Sequence, residues 1–81
     1  MEYQLYKNII SNPDICNGKY TIQHTRITVQ TIMELIFAGE NDEAIIHSYP
    51  RLTQLDIETS KEFTAQLLEN PTFIKPLRVT G

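Results

Sequence analysis

The periodicity of the chain changes at Thr28, and that change constrains the fold more than any other feature. Before it, apolar residues fall in short β-prone pieces, 5–10, 20–22 and Ile27, with turn signals around them. Asn12-Pro13-Asp14 and Asn17-Gly18 are such signals, and Asn-Gly is a strong short hairpin cue. Residues 1–28 therefore read as a small strand-and-turn element. From Thr28 on, Val29, Ile32, Met33, Ile36 and Phe37 recur at helical spacing behind a Thr28 cap. Gly39 then supplies a residue that tolerates a left-handed C-terminal conformation. Asn41 caps a second, shorter helix with Ala44, Ile45 and Ile46, which stops near Tyr49 because Pro50 follows. Thr53-Gln54-Leu55-Asp56 resembles a capping box with Asp56 where Glu or Gln is usual. Leu55, Thr59, Phe63 and Leu67 fall four residues apart, on one face of a third helix that Asn70-Pro71 ends.

This pattern predicts a mainly α fold: a short N-terminal β-element followed by a three-helix, helix-turn-helix-like bundle. One small domain is expected over residues 1–70, with the strand-and-turn element at 1–28 and the helices at 29–69. Residues 70–81 read as an extended C-terminal tail. Periodicity alone does not separate a helix-turn-helix from any other small helical bundle.

Size limits the core. A domain of about 60 residues buries only about 60% of its unfolded surface, and this chain has 81 residues. A small chain with neither disulfide nor metal often gains its missing burial by pairing, so a homodimer, a docked partner or both are expected. With 41% apolar and 21% charged residues, the composition argues against intrinsic disorder. No apolar run approaches the roughly 20 residues that span a bilayer, so no membrane association is expected. The first residues show no secretory signal, and the single cysteine, Cys16, forms no internal disulfide, so a cytoplasmic location is expected.

Charge is unevenly distributed. Residues 1–28 hold Lys7, Lys19 and Arg26 against Glu2 and Asp14, a net of +1. Residues 29–70 hold Arg51 and Lys61 against Glu34, Glu40, Asp42, Glu43, Asp56, Glu58, Glu62 and Glu69, a net of −6, and the tail adds Lys75 and Arg78. DNA binding draws much of its affinity from Lys and Arg neutralising phosphates. The third helix, with Asp56, Glu58 and Glu62 against Lys61, meets a duplex with repulsion. Any DNA contact therefore falls to Lys19, Arg26, Arg51 or the tail.

Catalytic chemistry is sparse. His24 and His47 are the only histidines, no Gly-rich phosphate loop occurs, and Cys16 with His24 lacks zinc-site spacing. Ser11, Ser48 and Ser60 lie in no nucleophile-elbow context. No catalytic residue, no metal site and no enzymatic activity are expected. No cofactor is expected either, with haem as the alternative: its iron takes histidine axially, and a dimer could present His24, with His47 as a second candidate.

The order and spacing of Asn12-Pro13, Gly18-Lys19, Ile22, Thr25-Arg26-Ile27, Val29, Gly39, Tyr49-Pro50 and Leu52-Thr53 resemble the bacterial domain-of-unknown-function family 433. The resemblance implies a β-element followed by a helix-turn-helix-like fold, usually dimeric. It also implies kinship with VapB-type antitoxins, which neutralise a toxin of PIN-like ribonuclease fold and repress their own operon. Some members are linked instead to haem. Two departures matter: Tyr20 replaces a proline, and Gln23-His24 replaces Arg-Gly. Glycine usually marks a positive φ or a close approach, so the turn at His24 is either strained or rebuilt. Arg26 then offers a bidentate donor to a phosphate or carboxylate, or a salt bridge to an acid of its own domain. Phe73, Ile74 and Leu77 of the tail are the expected contacts to a cognate toxin, or fold back onto the chain itself. The leading expectation is an antitoxin-like binding protein that acts by protein contact and binds operator DNA secondarily. A haem-binding protein using His24 and His47 is the alternative.

Overall fold

The computed structural model describes residues 1–70. Its N-terminal part is a three-stranded antiparallel sheet in the order β1-β2-β3, with β1 at Tyr3–Tyr6, β2 at Ile9–Ser11 and β3 at Thr21–Ile22. Three helices follow: α1 (Val29–Phe37), α2 (Asp42–Ser48) and α3 (Gln54–Glu69). The piece 5–10, which reads as one β-prone run, is split by a turn at Lys7 and Asn8, where Lys7 has φ +49°. The split pairs Tyr3 with Ser11 and Gln4 with Ile10, with a register irregularity between Gln4 and Tyr6. Strand β3 then adds on the other side of β2, Ile9 opposite Ile22 and Ile10 opposite Thr21.

The link from β2 to β3 uses both turn signals. Asn12 makes an Asx turn, its side chain accepting from Asp14 N at 2.9 Å, and Asn17 and Gly18 take φ +57° and +79° in a short 3-10 turn, Cys16–Gly18. Asn-Gly therefore serves this longer connection, while the tight hairpin lies at Lys7 and Asn8.

Every helix begins where its cap lies. The Thr28 hydroxyl accepts from Thr31 N, the Asn41 side chain accepts from Ala44 N, and Thr53 forms a reciprocal capping box with Asp56. Gly39 stands at φ +93°, past the end of α1. Asp56 is 8% exposed and does more than cap: it also accepts from the Asn8 side-chain amide at 2.6 Å, tying α3 to the β1–β2 turn.

The mainly α expectation is corrected here: the fold is mixed α/β, a three-stranded sheet packed with three helices. Four of the ten buried apolar side chains, Leu5, Ile9, Ile10 and Ile22, come from the strands. They share the core with Val29, Ile32, Ile45, Leu52, Ile57 and Phe63. A sheet face is an equal partner of the helices in this core, so a three-helix bundle does not describe it. Periodicity missed this because strands of two to four residues are too short to show an alternation. Of the fourfold face of α3, Thr59 and Phe63 are buried and Leu67 packs against the core, while Leu55 is 67% exposed; Asp56, Ile57 and Ser60 complete the buried side.

Candidate functional site

The segment that carries the Thr-Arg-Ile motif is a tight loop locked at its neck. Ile22 N donates to Ile27 O at 3.0 Å, and Val29 N donates to Tyr20 O at 2.9 Å. Inside the loop, the Thr25 hydroxyl donates to Ile22 O at 2.7 Å and accepts from Ile27 N at 3.0 Å. This threonine thus holds the loop shut from within. The closure places His24 at φ +67°, a left-handed conformation uncommon outside glycine. Of the two outcomes for a histidine at this position, the backbone has kept the glycine-like geometry with a side chain in place.

Arg51 approaches this loop from the turn between α2 and α3, a turn held by Leu52 N donating to Tyr49 O at 2.9 Å. One guanidinium nitrogen of Arg51, Nη2, donates to the His24 carbonyl at 3.0 Å. The contact spans 27 residues of sequence and brings Arg51 to the motif loop. Between them opens a cleft of about 520 Å³, lined by His24, Thr25, Arg26, Ile27 and Arg51 together with Glu2 and Ile15. His24, Arg26 and Arg51 are all exposed. The Arg26 carbonyl is engaged from behind by the Cys16 thiol at 3.4 Å.

Among the described residues, neither guanidinium has an acidic partner. The ion pairs among the described residues are Lys7–Glu62 and Lys61–Asp42. All ten acidic side chains of the chain lie within those residues. The salt bridge within the domain that was open to Arg26 is therefore not formed. Glu2, the one carboxylate lining the cleft, accepts instead from the Gln23 amide at 3.3 Å.

The remaining candidates are dispersed. Of the three cations expected to meet DNA, Arg26 and Arg51 converge while Lys19 lies elsewhere, against Tyr20 and Gln30. His47 sits exposed in the last turn of α2 and does not line the cleft with His24. Among the described residues, no group of three or more His, Cys, Asp or Glu side chains is placed to hold a metal ion. Phe73, Ile74 and Leu77 lie outside the described residues. The sequence reading missed the meeting of Arg51 with His24 and the presence of Glu2 and Ile15 beside them. No local signal marks either, since both depend on how the sheet and the α2–α3 turn pack.

A model of the family described as protein of unknown function (DUF433) matches residues 9–64. The chain belongs to this family. A solved DUF433 member from Anabaena variabilis, a crystal structure at 2.00 Å, superposes with a TM-score of 0.67 at 29% identity, covering 85% of this chain. The chain spans 65% of the length of that protein. No curated protein matches. The DUF433 match takes in Ile15, residues 24–27 and Arg51, so every cleft residue except Glu2 belongs to the family region. No helix among the described residues is long and apolar enough to cross a membrane.

Proposed function

We propose that this DUF433 protein is an antitoxin-like binding protein that acts by protein contact, as a homodimer, with operator DNA as a secondary ligand. The observation that carries the protein-contact reading is the surface of α1. Six of its nine residues are apolar; Val29 and Ile32 are buried, Met33, Leu35 and Ile36 are half-buried against the core, and Phe37 is 79% exposed. A helix apolar around most of its circumference belongs in an interior. One that leaves Phe37 exposed beside half-buried Met33 and Ile36 has a surface suited to another protein. The class of that partner, a toxin of PIN-like ribonuclease fold, follows from the family resemblance.

DNA contact through α3 is disfavoured by the exposed Glu58 and Glu62 on that helix. Arg26 and Arg51, exposed and without acidic partners, are the cations in a position to meet a backbone.

The test is co-purification of the tagged full-length protein from its native host, with an absorbance spectrum of the eluate. A stoichiometric small protein whose ribonuclease activity this chain inhibits is the expected result, and Phe37→Lys should abolish its capture. A Soret band without a protein partner overturns the reading in favour of haem on His24. Recovery of the chain alone and colourless overturns both.

A further inference from the structure

We infer that the cleft between Arg26 and Arg51 is a binding site for a phosphate monoester whose organic part carries hydroxyl groups. Two arginines from segments far apart in sequence line one space, and no carboxylate among the described residues pairs with either. A carboxylate ligand has two oxygens and one charge, enough for one guanidinium fork. A phosphoryl dianion offers three terminal oxygens and a charge near −2 at neutral pH, enough to engage both forks at once. Arg51 is already anchored through Nη2 on the His24 carbonyl, which limits the side-chain entropy that binding must remove. The other cleft residues suit an ester better than inorganic phosphate. Ile15 and Ile27 offer apolar contact to an organic part, which inorganic phosphate lacks, and Glu2 is an acceptor for the hydroxyl groups of that part. A free sugar phosphate and the 5′-phosphorylated end of an RNA share this chemistry.

The inference does not rest on the protein-contact reading, and either can fail without the other; it shares Arg26 and Arg51 with the secondary DNA contact. The experiment is titration of the full chain, followed by NMR of its backbone amides, with ribose 5-phosphate, ribose and inorganic phosphate as separate probes. Ribose 5-phosphate should bind saturably at one site, shifting residues 24–27 and Arg51, while ribose alone should not bind. Arg26→Gln should weaken binding at least about tenfold, because it removes a charge-assisted fork. Its side chain makes no hydrogen bond or ion pair within the described residues, so this variant should unfold at the wild-type temperature. Arg51→Lys, which keeps the charge and loses the planar fork, should bind with intermediate affinity. Glu2→Gln should narrow the preference for ribose 5-phosphate over inorganic phosphate, because it trades a charged hydroxyl acceptor for a neutral one. An RNA dinucleotide with a 5′-phosphate, compared with its 5′-hydroxyl form, separates the two sources: preference for the phosphorylated end assigns RNA ends, and binding of ribose 5-phosphate alone assigns a metabolite. Non-saturable shifts, an Arg26→Gln protein with unchanged affinity, or an equal loss in Lys19→Gln would each overturn the site, since they mean diffuse attraction to positive charge.

Discussion

Helices α1 and α3 invert the usual relation between composition and burial. Six of the nine residues of α1 are apolar, and it buries two fully and three by half. In α3 the buried set has five members, and three of them, Asp56, Thr59 and Ser60, are polar. The polar helix nevertheless lies against the sheet because its polar groups are satisfied there. Asp56 accepts from Thr53 N and from the Asn8 amide, and the Ser60 hydroxyl donates to Asp56 O at 2.9 Å. Among the described residues, no buried side-chain nitrogen or oxygen lacks a partner. A buried polar group costs little once it is hydrogen-bonded and much when it is not. Burial in this molecule therefore follows hydrogen-bond satisfaction at α3 and leaves apolar surface over at α1. That surplus is where contact with another protein is to be sought.

The strongest attempt to break this contrast is Phe63→Ala. Phe63 is fully buried, edge-on to Tyr20 with ring centroids 5.1 Å apart, and removing it should cost about 3–5 kcal/mol. At roughly 0.05–0.15 kcal/mol per residue, that is a large share of the stability of such a domain. Chemical denaturation should find the variant largely unfolded, and a fully folded variant would mean that α3 is not the core helix. Next comes Asp56→Ala, which removes the box and leaves the Asn8 amide without its acceptor. A loss of about 2 kcal/mol is expected by urea titration, and a loss below about 0.5 kcal/mol would show that α3 does not depend on its polar contacts.

Phe37→Lys on α1 should change stability by less than about 0.5 kcal/mol, because the ring is exposed and a cation near a helix C-terminus is tolerated. Loss of partner capture with an unchanged melting curve would sharpen the contrast. A large destabilisation would show that the Phe37 ring is packed after all. The smallest effect belongs to Glu62→Gln. Lys7 Nζ lies 2.8 Å from Glu62, whose carboxyl is held below its ordinary value first by that bond and then by the Tyr6 hydroxyl, while the Lys7 ammonium is raised by Glu62. The stabilisation from Glu62 is present above the usual carboxylate value of 4.5 and is lost as pH falls through the lowered one. The stabilisation from Lys7 is complete below 10.5 and is lost as pH rises through the raised value. Both groups are solvent-exposed, so the difference between wild type and variant should vanish in about 0.5 M salt. A difference that survives salt would mean that the pair is shielded from water.

Much of this was legible one turn at a time. Thr28, Asn41 and Thr53 announce three helix starts, and Gly39, Pro50 and Asn70 their ends. The glycine missing at His24 points to a left-handed backbone at that residue. The splitting of 5–10 into two strands was not legible, because Lys7 and Asn8 are a weak turn signal and the pairing that rewards the turn lies with Ser11 and Ile22. In the cleft, Arg26 stands out through its motif, whereas Arg51 stands out only by its charge, and nothing local ties it to His24.

Caps, breakers and left-handed positions were determined by the chain alone, because they rest on hydrogen bonds and steric limits among residues within about four positions of one another. The tertiary structure decided which helix is buried, that a sheet shares the core, and that Arg51 reaches His24 across 27 residues. Those outcomes depend on how separated segments satisfy one another's polar groups and fill one another's space, and no local window of sequence contains both sides of such a contact.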